Sequence, residues 1–401
     1  MKASIKNPER LSLLDLSPDF LLSELESTLA RLGEKPYRAR QILRQVFQRG
    51  LLDFHAMTDL PAILREKLAA SINLLPLAPV RQVTSRDGTC KILWSAHDGA
   101  SVESVVIPMD RGHTTVCLSV QTGCALGCAF CATGRLGAGR NLIPGEMLVQ
   151  TLYAVSRFGL ASPAAEKSRS PNFVFMGMGE PFLNYDNLAG ALRTMNDNDL
   201  MQIGARRITV STVGLPERML QFSREFPQMK LAVSLHAADD ALRRRLMPIA
   251  RKVSLAGLFE ACRQVYRITG RRITFEYIVL PGVNDRDDDV RRLARLTEGL
   301  PCKINLIAYN PVAGMDFRSP SDAEVERFQQ KILKECRLAV TYRRSRGGDI
   351  AGACGQLAAG CHLSAASKKR PLLAKRPRSL QSESNITSVP ALRQNRRREP
   401  S

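Results

Sequence analysis

The chain has 401 residues, 44% hydrophobic and 24% charged, so it can bury one large core or two smaller ones, and collagen-like, mucin-like and wholly disordered classes are excluded. No apolar run approaches the roughly 18 to 20 residues of a bilayer-spanning helix, and the opening MKASIKNPER lacks a secretory signal, so the expectation is a cytoplasmic protein with no membrane partner. Lys and Arg number 58 against 38 Asp and Glu, leaving +20; this favours a polyanionic partner, nucleic acid first, although a solvated surface accounts for the same charges.

In chain order, residues 1–95 read as a small helical accessory unit. LSPDFLLSELESTLARLG and YRARQILRQVFQRG carry apolar residues at helical spacing, with Ser17 as the expected N-cap. VESVVIP at 102–108 has strand character. From Val116 onward short β-branched runs alternate with helical segments: VCLSV, NFVFM, RITVS, KLAVSL, ITFEYIVL and KINLIAY. Six such alternations imply parallel strands joined by crossover helices, hence an α/β fold and a partial TIM-like (β/α)6 barrel over residues 96–361, with a doubly wound sheet as the competing topology. In either case chemistry belongs at the C-terminal ends of the strands. The tail, 362–401, holds 10 Lys or Arg against 2 acids without an apolar period and reads as a disordered basic arm.

The chain has ten cysteines, which a reducing compartment keeps as thiols, so their spacing carries the information. Cys124, Cys128 and Cys131 follow the first strand of the alternating region as C-x3-C-x2-C. Three thiolates in one short loop suit a metal centre; a cubane cluster takes four, so three leave one iron open for an outside ligand. A zinc site completed by Cys117, or a redox pair of Cys128 and Cys131, uses the same residues. With Phe130 before the last cysteine, the loop resembles that of the radical S-adenosylmethionine superfamily. The resemblance implies a 4Fe-4S cluster whose open iron chelates S-adenosylmethionine and whose electron releases a 5'-deoxyadenosyl radical.

The second strand ends in Met-Gly-Met-Gly179-Glu180-Pro, where glycine lets backbone approach a ligand and Glu180 can accept from an amino group. It resembles the segment with which that superfamily binds the methionine amino group. Ser211, the Ser234-Leu235-His236 run and Asn310 lie at further strand ends, facing the same mouth. Singly each polar one is an ordinary cap or turn former; their shared location makes them cofactor contacts. His236 is the one histidine of the set, a proton donor or ribose contact.

Cys117, within the first strand, and Cys354, in ACGQL, would separately be buried structural cysteines. Together CLSVQTGCALGCAFCATG, FMGMGEP, STVG, SLH, LPGVND, KINLIAYNP and RGGDIAGACGQL, in that order, resemble the bacterial RNA adenine-C2 methyltransferase family, from about Glu103 to Leu357. LLDFHAMTDLP resembles that family's accessory domain.

Adenine C2 is electron-poor and does not attack a methyl sulfonium, so a radical route is needed. The resemblance implies that Cys354 takes a methyl group from one S-adenosylmethionine, that the radical from a second abstracts hydrogen from that S-methyl, and that the carbon radical adds to the base. Cys117 then attacks the sulfur of Cys354, releasing the methylated base and leaving a disulfide for reductant to reopen. Glu103 occupies the place of the family's proton-accepting carboxylate. The implied partners are 23S ribosomal RNA, at the peptidyl-transferase centre, transfer RNA, at the adenine 3' of the anticodon, and an electron donor such as flavodoxin or ferredoxin. Arg206, Arg207, Arg343, Arg344 and Arg346 are candidate RNA backbone contacts. The sister family that methylates C8 shares the cluster and both cysteines, and CATGRLG resembles either; RRSRGGDIAGACGQL and the long N-terminal unit stand closer to the C2 family. A non-catalytic, zinc-stabilised RNA-binding protein would leave Cys354 and the glycine segment without a role. The absence of an exposed heptad or symmetric interface pattern points to a monomer.

Overall fold

A computed structural model of the chain describes residues 10–160, 170–336 and 338–358; the basic tail and Cys361 lie outside the described residues. The N-terminal helices form as their periodicity dictates. Helix α1 (Pro18–Arg31) buries Leu21, Leu25, Thr28 and Leu29, the i, i+4, i+7, i+8 stripe of an amphipathic helix. Ser17 is its N-cap residue and Pro18 opens it, but the Ser17 hydroxyl makes no capping bond. The second expected helix changes pitch midway, since α2 (Tyr37–Leu43) runs into a π-helical turn at Arg44–Gln48. Helix α3 (Ala62–Ser71) turns Leu64 and Leu68 inward, and a parallel pairing of Leu11–Ser12 with Ile72–Asn73 ties the ends of this unit together.

The helical part ends there. Strands β1 (Leu77–Thr84), β2 (Cys90–Ala96), β3 (Ser101–Pro108) and β4 (Thr114–Leu118) form an antiparallel meander. In β2 the strict alternation of buried Cys90, Ile92, Trp94 and Ala96 marks a half-buried strand, so the boundary expected at residue 95 falls inside a paired hairpin. From β4 the sheet continues in parallel through β5 (Asn172–Phe175), β6 (Ile208–Thr212), β7 (Lys230–Ser234), β8 (Ile273–Val279), β9 (Cys302–Ala308) and β10 (Ala339–Arg343).

The ten strands lie in chain order in one open sheet. After β4 come α4 (Ala132–Arg135) and α5 (Pro144–Arg157), after β5 α6 (Tyr185–Asn196), and after β6 α7 (Pro216–Glu225). Helices α8 (Asp240–Leu246) and α9 (Leu255–Thr269) follow β7, α10 (Asp287–Thr297) follows β8, and α11 (Asp322–Cys336) follows β9. All six expected strands are present, and β10 adds a seventh parallel strand. No helix among the described residues is long and apolar enough to cross a membrane.

Candidate active site

Alternation along the parallel strands decides which side chains face the inside of the open barrel. Ser211 on β6, Ser234 on β7, Glu276 and Ile278 on β8, Ile307 on β9 and Arg343 on β10 all line one cavity of about 200 Å3 at the C-terminal strand ends. That is room for a ligand rather than a few waters. Cys124, Cys128 and Cys131 line the same cavity. Their loop is pinned by Cys124 N–H donating to Gly137 O at 2.8 Å and Ala129 N–H to Leu246 O at 2.9 Å.

Burial pushes the Cys124 thiol up to about 11 and Cys128 higher still, with Cys131 raising both. Thiols that penalise one another's charge need a cationic group to ionise them. Among the described residues no three His, Cys, Asp or Glu side chains converge where a single ion would sit. Three thiols of one loop on one cavity wall suit the three-thiolate ligation of an iron–sulfur cluster.

The turn after β5 brings a carboxylate to the same wall. Gly179 has φ +98°, and a Cβ there would lie 2.5 Å from the Gln121 Cβ, so only glycine fits. Buried Glu180 accepts from Thr212 Oγ1 at 2.7 Å, Phe182 N–H at 3.1 Å and Val213 N–H at 3.0 Å. Burial outweighs these bonds and pushes its carboxyl up to about 7, so an adjacent ammonium group would favour the carboxylate.

His236 sits at φ 56° with Nδ1 accepting from Ile278 N–H at 3.1 Å and its ring edge-on to Phe130. Burial, assisted by Arg243, depresses it to about 3; it is therefore neutral, with Nε2–H as its free donor. Leu235 and Asn310 do not line the cavity. Leu235 is fully buried in the apolar core, while Asn310 donates through Nδ2 to Cys354 O at 3.2 Å.

Cys117 and Cys354 both line this cavity, near enough for their charges to interact. Burial first, then Cys354, pushes the Cys117 thiol up to about 12, with Arg343 opposing. All nine described cysteines are free thiols, so the disulfide that the family resemblance implies as a product is not formed here. The Cys354 segment has no regular structure of its own beyond one short turn, and residues distant in the chain hold it. Ala132 N–H donates to Gly355 O at 2.7 Å, Thr133 Oγ1 to Leu357 O at 2.6 Å, and Lys91 Nζ to Ala351 O at 3.1 Å. Glu103 belongs to this clamp: it accepts from Ala358 N–H at 3.0 Å and pairs with Lys91 at 3.0 Å, outside the cavity wall.

Of the five arginines expected at RNA, Arg343 instead points into the cavity beside both cysteines, because β10 continues the inward alternation. Arg344 and Arg346 line the rim and make ion pairs with Asp322, Glu326 and Asp110; Arg206 and Arg207 stand at the opposite strand ends. Sequence reasoning missed Gln121, Thr212, Glu276 and Arg243. Gln121 accepts from Glu180 N–H at 2.8 Å. Arg243 is fully buried and donates to the carbonyls of Val213 (2.8 Å), Leu235 (3.3 Å) and Ser234 (3.4 Å), bracing the ends of β6 and β7. Its signal was its spacing from Leu246 and Met247, three and four residues on, which puts Arg243 rather than Arg244 or Arg245 on the buried face.

A family model described as the radical SAM superfamily matches residues 118–294, and another, the ribosomal RNA large subunit methyltransferase N-terminal domain, matches residues 13–74. An open α/β barrel with this cysteine loop at its first parallel strand is thus that of a radical S-adenosylmethionine enzyme. Dual-specificity RNA methyltransferase RlmN of Anaeromyxobacter dehalogenans is 47% identical over 335 residues, covering 84% of this chain and 89% of its own. RlmN 2 of Myxococcus xanthus is 43% identical over 352 residues, covering 88% and 92%. The crystal structure of a radical SAM methyltransferase from Sphaerobacter thermophilus superposes with a TM-score of 0.79 at 46% identity, covering 87% of this chain and 99% of that one. The chain belongs to the RlmN family of dual-specificity RNA methyltransferases. It is an enzyme that transfers methyl groups to RNA.

Proposed function

We propose that the enzyme methylates C2 of an adenine in 23S ribosomal RNA and of the adenine 3' of the anticodon in transfer RNA, through an S-methylcysteine at Cys354 and with two S-adenosylmethionine molecules per methyl group. The observation that carries this reading is the pairing of Cys117 with Cys354 in the cavity that the three loop cysteines also line. Cys124, Cys128 and Cys131 would hold a 4Fe-4S cluster, which supplies the electron that cleaves S-adenosylmethionine to an adenosyl radical.

The other residues bind, orient and move protons. Glu180 accepts from the methionine ammonium, with Gly179 opening the approach; Ser211, Ser234 and His236 Nε2–H serve the ribose and adenine, while Leu235 and Asn310 act from behind the wall. Cys354 is the methyl acceptor, its sulfur forming the S–CH3 bond as S-adenosylhomocysteine leaves. Cys117 attacks that sulfur to release the product, and Glu103 takes the proton from C2 once its hold on Lys91 and Ala358 loosens. The helical unit within residues 1–95 contributes RNA contacts, and an electron donor such as flavodoxin or ferredoxin reduces the cluster.

The test is mass spectrometry of RNA fragments after anaerobic reaction of the iron-reconstituted protein with S-adenosylmethionine, alongside Cys354→Ala. Methyl at C2, lost in the variant, is the expected result. Methyl at C8 would move the protein to the sister chemistry, and no methylation with an intact cluster would overturn the reading.

A further inference from the structure

A second cavity, of about 380 Å3, opens at the N-terminal strand ends, the floor of the barrel, where α7 and α9 pack; Lys230, Arg271, Arg272 and Lys303 line it together with Phe222, Phe226 and Val265, and without a carboxylate. Among the described residues none of these four cations makes an ion pair. Burial, then Lys303, Arg207 and Arg271, pushes Lys230 down, so these cations repel one another. Arg271 is also pre-set: its Nε donates to Pro227 O at 3.1 Å and its Nη2 to Gln228 Oε1, which fixes the plane of the guanidinium. Clustered cations, one of them fixed in orientation, suit a phosphate oxyanion.

The position of the cavity narrows the ligand. Lys230 and Ser234 share one side of β7, and Ser234 lines the catalytic cavity above. Four residues at about 3.3 Å each put the two levels roughly 13 Å apart. Between them the lumen is polar rather than closed by aliphatic layers. Asn305 Nδ2 donates to Glu276 Oε2 at 2.7 Å, and Thr341 Oγ1 donates to Asn305 Oδ1 at 3.0 Å. On β9 Lys303, Asn305 and Ile307 share one face, and Ile307 lines the catalytic cavity, so the basic floor, the polar belt and that cavity stand at successive levels of one strand face.

We propose that the floor cavity is a phosphodiester site, and that the substrate RNA reaches the reacting cysteines from the strand N-terminal side, with its backbone next to the unstacked adenine held by Lys230, Lys303, Arg271 and Arg272. This rests on the RNA methylation reading above. A base taken out of its stack must be accompanied by its own backbone, and cations one lumen-length below the reacting sulfur are where that charge is needed.

The experiment compares the full chain with Lys230→Met/Lys303→Met. Affinity for a stem-loop RNA with an unpaired adenine is measured by fluorescence anisotropy across a salt series, and thermal unfolding is followed with and without inorganic pyrophosphate. Losing two phosphate contacts is expected to make the slope of log K against log salt shallower by about 1.4, at about 0.7 per contact for single-stranded RNA. Pyrophosphate is expected to raise the melting temperature of the wild type and not of the variant, and the variant without anion melts no lower than the wild type. An unchanged salt slope, with no pyrophosphate effect, would reduce the four residues to solvated cations. An unchanged slope with a pyrophosphate effect abolished in the variant would make this a free-polyphosphate site and overturn RNA entry. Failure of the wild type itself to bind RNA would instead strike the methylation reading.

Discussion

Glu103→Gln tests the clamp on the Cys354 segment. The Glu103 and Lys91 side chains are 8% and 12% exposed, and their charged atoms are 3.0 Å apart, so solvent screens them little. At an effective dielectric of about 20, unit charges at that distance attract by about 5 kcal/mol, and desolvation offsets a large part. Removing one partner leaves the other buried without its counter-charge, and we expect a loss of about 3 kcal/mol. The amide retains an oxygen for Ala358 N–H, so the measurement isolates the charge.

The chain has a single tryptophan, buried on β2, with Nε1 bonded to Ser104 Oγ at 2.8 Å, next in sequence to Glu103. Its fluorescence in a urea titration of the apo protein reports the loss directly. With a slope of about 3 kcal/mol per molar, the midpoint falls by about 1 M, and alkylation of Cys354 by iodoacetamide accelerates as the segment loosens. Lys91→Met/Glu103→Gln recovers most of the stability, since an uncharged pair leaves no orphan. A single variant within ~0.2 M of the wild type, or a double variant no better than the single one, would refute the clamp.

Gly179→Ala adds a methyl group against the Gln121 side chain at a positive φ and is expected to cost about 2 to 4 kcal/mol in urea unfolding and to abolish S-adenosylmethionine binding in equilibrium dialysis. His236 is depressed from 6.5 to about 3, so its contribution is present above pH 6.5 and lost as pH falls toward 3, by up to about 5 kcal/mol. His236→Asn should therefore flatten the decline of stability in that window, and an unchanged pH profile would show the imidazole to be solvated. Cys117→Ala should leave RNA covalently joined to Cys354, visible as a shifted band on a denaturing gel; free, fully methylated RNA from this variant would remove Cys117 from the release step. Cys128→Ala should lose iron and acid-labile sulfide together, whereas retention of zinc in their place would favour the structural zinc alternative.

The parallel core was legible because each strand announces itself locally, through β-branched runs bounded by helical periodicity. Strand β10 was not, since AVTYR follows α11 almost without a break and alternates only weakly. β1 and β2 were lost inside a region whose first helices set the expectation. The cysteine loop and the Gly179-Glu180 turn were readable because a ligand demands several residues within a few positions. What Glu103, Asn310 and Arg343 touch was not readable, since their partners lie elsewhere in the chain and only tertiary structure brings them together. Asn310 stands at a strand end as expected, yet its amide is spent on the backbone of Cys354.

The clamp on Cys354 also has a consequence in time. Ser85 with Asp349, Lys91 with Ala351, Glu103 with Ala358 and Thr133 with Leu357 are separated by 264, 260, 255 and 224 residues. Closing such long loops adds little to the equilibrium cost, because loop entropy grows only logarithmically, but it delays the event. At about 5 to 20 residues per second, a ribosome needs roughly 10 to 50 seconds to deliver the second half of these contacts after the first. The barrel and its three-cysteine loop are translated while Cys354 does not yet exist, so the cavity that holds both Cys117 and Cys354 is completed last.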